Sequence, residues 1–132
     1  MKPIANAHVR SEGPNYRHEI QAGRHALLAD EPTEHGGLDA GPAPYELFLS
    51  GLGACTAITL RMYAEKKGWD LGELKVELTL LKDRDGNTQI ERSLHSDAPL
   101  SDEQWDKLLA VAEKTPVTLT VKQGAPISTR RG

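Results

Sequence analysis

The chain has 132 residues, with 16 Lys and Arg against 19 Asp and Glu and a net charge of −3. That length supports one domain, 1–132, with little room for two independent cores. No basic block stands out, which excludes a nucleic-acid footprint, and the acidic balance disfavours an anionic membrane surface.

Turn chemistry predicts a three-strand meander first. Ser11-Glu12-Gly13-Pro14-Asn15 separates a strand over Ile4 to Arg10 from one over Tyr16 to Gln21, and Ala22-Gly23-Arg24 turns into a third over residues 25–30. Residues 31–44 hold Pro32, Gly36, Gly37, Gly41 and Pro42, and read as a long loop, either functional or a plain crossover. A helix over 44–67 opens on Pro44, which suits a first helical turn, and closes on Lys66-Lys67 with Gly68 beyond. Its stretch from Leu47 to Ala57 carries no charge and includes Ser50, Gly51, Gly53 and Ala54. A helix uncharged over that length is expected to be buried on most sides, with small residues allowing close approach. Residues 71–82 alternate, with Leu74, Val76, Leu78 and Leu80 on one face, and 83–87 turn into a partner strand over 88–95. Ser101 and Gln104 form a capping box for a second helix that stops before Pro116. Residues 117–122 and 126–129 read as two short terminal strands. The order predicts an α+β fold, with antiparallel sheets and helices segregated from them.

Apolar residues make up only 38% and aromatics 5%, so a domain of this size gains from burying further surface in an oligomer. No apolar run reaches the roughly 20 residues needed to span a bilayer, so no membrane segment is expected. The start, Met1-Lys2-Pro3-Ile4-Ala5-Asn6, lacks the apolar core of a secretory signal. A single cysteine forbids an intramolecular disulfide and fits a reducing, cytoplasmic setting. His8, His18, His25, His35 and His95 are scattered without zinc spacing, and no glycine pattern cradles a nucleotide, so no metal or cofactor is expected.

The chemistry therefore rests on Cys55. Buried structural cysteine is its plain alternative. A reactive thiol needs a helix N-terminus or a cation nearby, and Cys55 lies eleven residues into its own helix, beyond the dipole's first turn. Arg17, Arg24 and His25 on the N-terminal strands are the cations available to it. Glu46, nine residues earlier, falls on the opposite helix face, and Tyr45, ten earlier, lies about 80° away. Glu46 also has an ordinary role, compensating the helix dipole, and Tyr45 an ordinary role in packing.

The stretch Gly41-Pro42-Ala43-Pro44-Tyr45-Glu46-Leu47-Phe48-Leu49-Ser50-Gly51-Leu52-Gly53-Ala54-Cys55-Thr56 resembles the central-helix signature of the OsmC/Ohr family, named for osmotic induction and organic-hydroperoxide resistance. Leu60-Arg61-Met62-Tyr63-Ala64 and Lys67-Gly68-Trp69 continue the likeness. The resemblance implies an intertwined homodimer with active sites at the interface, where Cys55 attacks a hydroperoxide. It also implies a supporting arginine, placed at Arg17 or Arg24, and a carboxylate at the helix start. That carboxylate position falls on Tyr45, with Glu46 adjacent. The family's resolving cysteine is replaced, because its Cys-Pro-Val pattern reads Thr115-Pro116-Val117 here. An external thiol would then have to reduce the oxidised Cys55. The expected function is thiol-dependent reduction of organic hydroperoxides, or of hydrogen peroxide, by a one-cysteine peroxidase in oxidative-stress defence. The alternatives are a non-catalytic relative that binds an apolar small ligand at the dimer interface, and a redox-sensing thiol protein.

Overall fold

Three short strands make the N-terminal antiparallel sheet, in the order β1 (Ala7–Ser11), β2 (His18–Ala22) and β3 (His25–Ala29). Ala22 pairs with His25, so Gly23-Arg24 is a two-residue hairpin turn with Gly23 at φ 59°, a conformation that glycine adopts without a Cβ penalty. The computed structural model describes residues 1–11 and 13–132. It divides into two units, Met1–Phe48 and Leu49–Gly132.

The loop after β3 belongs to the first unit and is organised by one buried side chain. The Asp30 carboxylate accepts backbone N–H groups from Glu31 at 2.8 Å, Leu38 at 3.2 Å and Ala40 at 3.1 Å. These donors, Ala40 foremost, hold its carboxyl below the ordinary value of 3.8 against the opposing effect of burial, and the charge of Arg17 adds to them. A 3-10 turn, Thr33–His35, lies inside the loop. A Cβ at Gly37 would sit 1.9 Å from the Glu31 carbonyl oxygen, so the chain closes on itself there only with glycine.

Helix α1 (Pro44–Lys67) runs from the first unit into the second. It ends as expected. Gly68 is left-handed at φ 73°, and the Trp69 N–H reaches back to the Ala64 carbonyl at 2.9 Å. Its burial is narrower than the sequence predicts. Leu52, Gly53, Thr56, Leu60 and Ala64 are buried, whereas Phe48, Ile58 and Met62 are exposed. Among the described residues, its buried positions fall on one face. By length and composition this helix is apolar enough to cross a membrane, a test that the core helix of a soluble protein also passes. The run free of charge stops at Glu46 and Arg61, while mean hydropathy averages across such charges.

In the second unit, β4 (Leu74–Lys82) and β5 (Thr88–Ser96) form an antiparallel hairpin in continuous register from Leu74–Ser96 to Lys82–Thr88. A Cβ on Gly53 would come within 2.8 Å of Leu78, so α1 passes β4 closely there. The core gathers Leu60, Ala64, Leu71, Leu108 and Ala112. Leu108 and Ala112 come from α2 (Asp102–Ala112), opened by the predicted capping box: Ser101 Oγ accepts from the Gln104 N–H, and the Gln104 side chain accepts from the Ser101 N–H.

The terminal strands predicted over 117–122 and 126–129 are not formed. Residues 116–123 are helical instead, as α3 (Pro116–Gln123), and 126–129 join no ladder among the described residues. The run Val117-Thr118-Leu119-Thr120-Val121, β-branched except at Leu119, favours a strand only weakly. Thr115 as N-cap, Pro116 at the first helical position and tertiary contacts of Thr118 outweigh that preference. The fold is α+β with antiparallel sheets and a long helix.

Candidate functional site

Cys55 lies on the half-buried flank of α1, one residue before the buried Thr56. Its sulfur meets a second helix end-on. The Val117 N–H, in the first turn of α3, donates to Cys55 Sγ at 3.5 Å, and Thr59 Oγ1 lies 4.0 Å from the same sulfur. Pro116 occupies the first helical position of α3, so the Val117 N–H is one of the amides a helix leaves without an internal partner. The dipole of α1 is too distant to act on Cys55, as the sequence predicts, but the N-terminus of α3 is not. Such an end favours negative charge placed beside it.

Thr115 stands where the family resemblance places a resolving cysteine. It is 1% exposed, and its hydroxyl lies 2.6 Å from that of Thr118. Thr118 in turn accepts from Arg92, whose side chain is only 12% exposed. Arg92 Nη1 donates to Thr118 Oγ1 at 2.8 Å and Thr56 Oγ1 at 3.0 Å, and Nη2 donates to the Ala112 carbonyl at 2.8 Å and to Glu113 Oε2 at 3.2 Å. Thr56 Oγ1 itself donates to the Leu52 carbonyl at 2.8 Å. Lys122 Nζ reaches Glu113 Oε1 at 3.0 Å. That hydrogen bond, with the charges of Lys122 and Arg92, holds the Glu113 carboxyl below its ordinary value of 4.5.

The other candidates belong to the first unit. Glu46 Oε1 accepts the Ala43 N–H at 2.8 Å, closing the entry to α1. Tyr45 is 52% exposed at the same helix start. Arg17 contributes charge to the carboxylates of Glu19 and Asp30. Arg24 and His25 border a cleft of about 1120 Å³ on the sheet, together with His8, Leu28, Pro42 and Leu47. The structure thus brings Cys55 together with Val117 and Thr59, and collects Tyr45, Glu46, Arg17 and Arg24 in the other unit.

Sequence reasoning missed Arg92, Thr118 and Val117. A signal for Arg92 was present. Ile90, Arg92 and Leu94 alternate as the half-buried positions of β5, while Glu91, Ser93 and His95 are exposed. A cation in the inward register of a strand is anomalous unless it has buried partners.

The chain is thus an α+β protein with one thiol on its long helix, facing the end of another helix. The family model described as OsmC-like protein matches residues 35–130, and the chain belongs to that family. No curated protein matches it. Among solved structures, it is similar to an OsmC-like protein from Mycoplasma pneumoniae, at 18% identity over 92% of this chain and 89% of that one, with a TM-score of 0.72. It is also similar to an organic hydroperoxide resistance protein OsmC from Legionella pneumophila, at 21% identity over 91% and 90%, with a TM-score of 0.66. A third likeness is to the organic hydroperoxide resistance protein OhrB of Bacillus subtilis, at 23% identity over 90% and 90%, with a TM-score of 0.62. At these identities the likeness carries the fold.

Proposed function

We propose that the protein reduces organic hydroperoxides with Cys55 as its only redox-active thiol, working as a cytoplasmic homodimer of single-domain chains. The observation that supports this reading most directly is the Val117 N–H aimed at Cys55 Sγ from the first turn of α3. A peroxidatic cysteine must react as the thiolate, and an unpaired amide at a helix N-terminus favours that form. The names of the Legionella and Bacillus relatives supply the substrate class.

In this mechanism the Cys55 thiolate attacks one peroxide oxygen, the O–O bond breaks, and the alkoxide leaves as an alcohol after taking a proton. Cys55 becomes a sulfenic acid. One external thiol condenses with it, releasing water and forming a mixed disulfide. A second thiol then attacks the mixed disulfide, returns Cys55 to its thiolate and carries away the external disulfide. Arg17 or Arg24, with Glu46 and Tyr45, are assigned as the supporting groups. The dimer reading rests on the exposed apolar side chains of α1. Ile58 and Met62 are 55% and 58% exposed on a helix otherwise free of charge between Leu47 and Ala57, a surface that water disfavours and a second copy would cover.

The test is consumption of cumene hydroperoxide by the pure protein with dithiothreitol and, separately, with a dihydrolipoyl dithiol. Turnover should be present in the wild type and absent in Cys55→Ser, because a serine hydroxyl is not ionised at neutral pH. Equal turnover in the two proteins would remove the assignment.

A further inference from the structure

We propose that Arg92 is the positioning residue of the thiol site, holding the first turn of α3 against the Cys55 sulfur. This rests on the reading of Cys55 as the reactive thiol and names the residue that sets its surroundings.

Helix α3 has eight residues and its N-cap residue, Thr115, makes no side-chain capping hydrogen bond. A helix so short has little stability of its own, and its place depends on tertiary contacts. The Val117 N–H therefore points at Cys55 only if something outside α3 fixes the first turn. Arg92 is built for that task. One nitrogen of its guanidinium donates both to Thr118, next to Val117, and to Thr56, next to Cys55. The two residues flanking the N–H···S contact are thus tied to one atom. The other nitrogen binds the last carbonyl of α2 and the Glu113 carboxylate, so β5, α1, α2 and α3 meet on one planar group. Four hydrogen bonds in a fixed fork suit arginine, while a lysine ammonium is a point charge on a flexible stem. The neighbouring charges are few: Glu113 and Lys122, both about half exposed or more. Glu113 pairs with Lys122 as well as with Arg92, so the guanidinium charge is only partly offset. Arg92 thus adds positive potential to the end of α3 besides setting its position.

The experiment is alkylation of Cys55 by iodoacetamide in the full-length protein, measured from pH 6 to the high-pH plateau. The quantity read is the rate at pH 7 divided by the plateau rate. Any change in access to the sulfur cancels in this ratio, and a purely structural role leaves it unchanged. In Arg92→Met the ratio should fall severalfold and at most about tenfold, the largest change that one lost charge of this size produces in it. Hydrogen exchange at the Val117 amide should accelerate in the same variant. Arg92→Lys, which keeps the charge and loses the fork, should restore part of the ratio. If Arg92→Met does not fold, Thr118→Val severs the link to α3 and leaves the Thr56, Ala112 and Glu113 contacts in place. Its ratio should also fall. An unchanged ratio in whichever of these variants is folded overturns the proposal. If the ratio responds while the wild type consumes no hydroperoxide, the positioning role stands and the peroxidase reading fails.

Discussion

Replacing Thr118 with valine removes one hydroxyl from a buried chain of hydrogen bonds while nearly preserving shape. Thr118 is 5% exposed, accepts from Arg92 at 2.8 Å and pairs with the Thr115 hydroxyl at 2.6 Å. A hydrogen bond to a charged group is worth about 1.5–3 kcal/mol, and a buried polar atom left without its partner costs about 1–3 kcal/mol. Two circumstances reduce the loss. Arg92 Nη1 keeps Thr56 at 3.0 Å, and the added methyl gains up to about 0.8 kcal/mol by burial. The Thr115 hydroxyl is the group left stranded, at 1% exposure. The net expectation is a loss of about 2 kcal/mol. For a chain between the 100- and 150-residue benchmarks, that lowers the Tm by roughly 6–10 °C. Urea unfolding at one fixed protein concentration measures it, because association adds to apparent stability by mass action. The cycle with Arg92→Met should give a coupling energy of about 1 kcal/mol or more, since the two side chains share a hydrogen bond. A Thr118→Val variant within about 0.5 kcal/mol of the wild type would be behaving as an unremarkable surface site. The Arg92–Thr118–Thr115 hydrogen bonds would then contribute nothing to stability.

Excess hydroperoxide should add two or three oxygens to Cys55 in the wild type, seen by mass spectrometry, because no second cysteine traps the sulfenic acid; a thiol left unmodified would mark Cys55 as structural. Light scattering at micromolar concentration should give twice the chain mass, and a monomer would leave the exposed apolar side chains of α1 unexplained. Asp30→Asn should destabilise the protein at pH 7, since an amide cannot accept all three loop N–H groups. The Asp30 pKa is depressed in the fold, so its ionised form adds stability above the ordinary 3.8 that is lost as pH falls through the folded value. The urea midpoints of wild type and variant should therefore converge in acid, and a gap as wide at pH 2 as at pH 7 would contradict the role given to the carboxylate.

Much of the architecture was legible because local chemistry decided it. Gly23 and Gly68 mark turns that require positive φ. Ser101 with Gln104 opens α2 by a contact internal to four residues. The alternation from Leu74 to Leu80 survives as half-buried against exposed positions in β4. The weakly alternating first strands were found with shifted ends: β1 starts at Ala7 and not Ile4, and β2 at His18 and not Tyr16. Little in residues 4–22 distinguishes one register from the next, so the pairing itself sets the ends.

What the sequence determined alone was the family signature around Cys55, the lone thiol, the threonine at Thr115 where the resemblance puts a cysteine, and the run of α1 from Pro44 to Lys67. Each is a matter of residue identity or of contacts within a turn. The conversion of 117–122 from apparent strand to helix was decided by tertiary structure, and so was the meeting of Val117 with Cys55, 62 residues apart. Intrinsic preference across that β-branched segment amounts to tenths of a kcal/mol per residue. The largely covered guanidinium of Arg92 cannot leave its charge unmatched without a cost of about a few kcal/mol. The need of one inward-facing cation for hydroxyl and carbonyl partners therefore outweighs the local preference, and with it fixes which helix end the thiol faces.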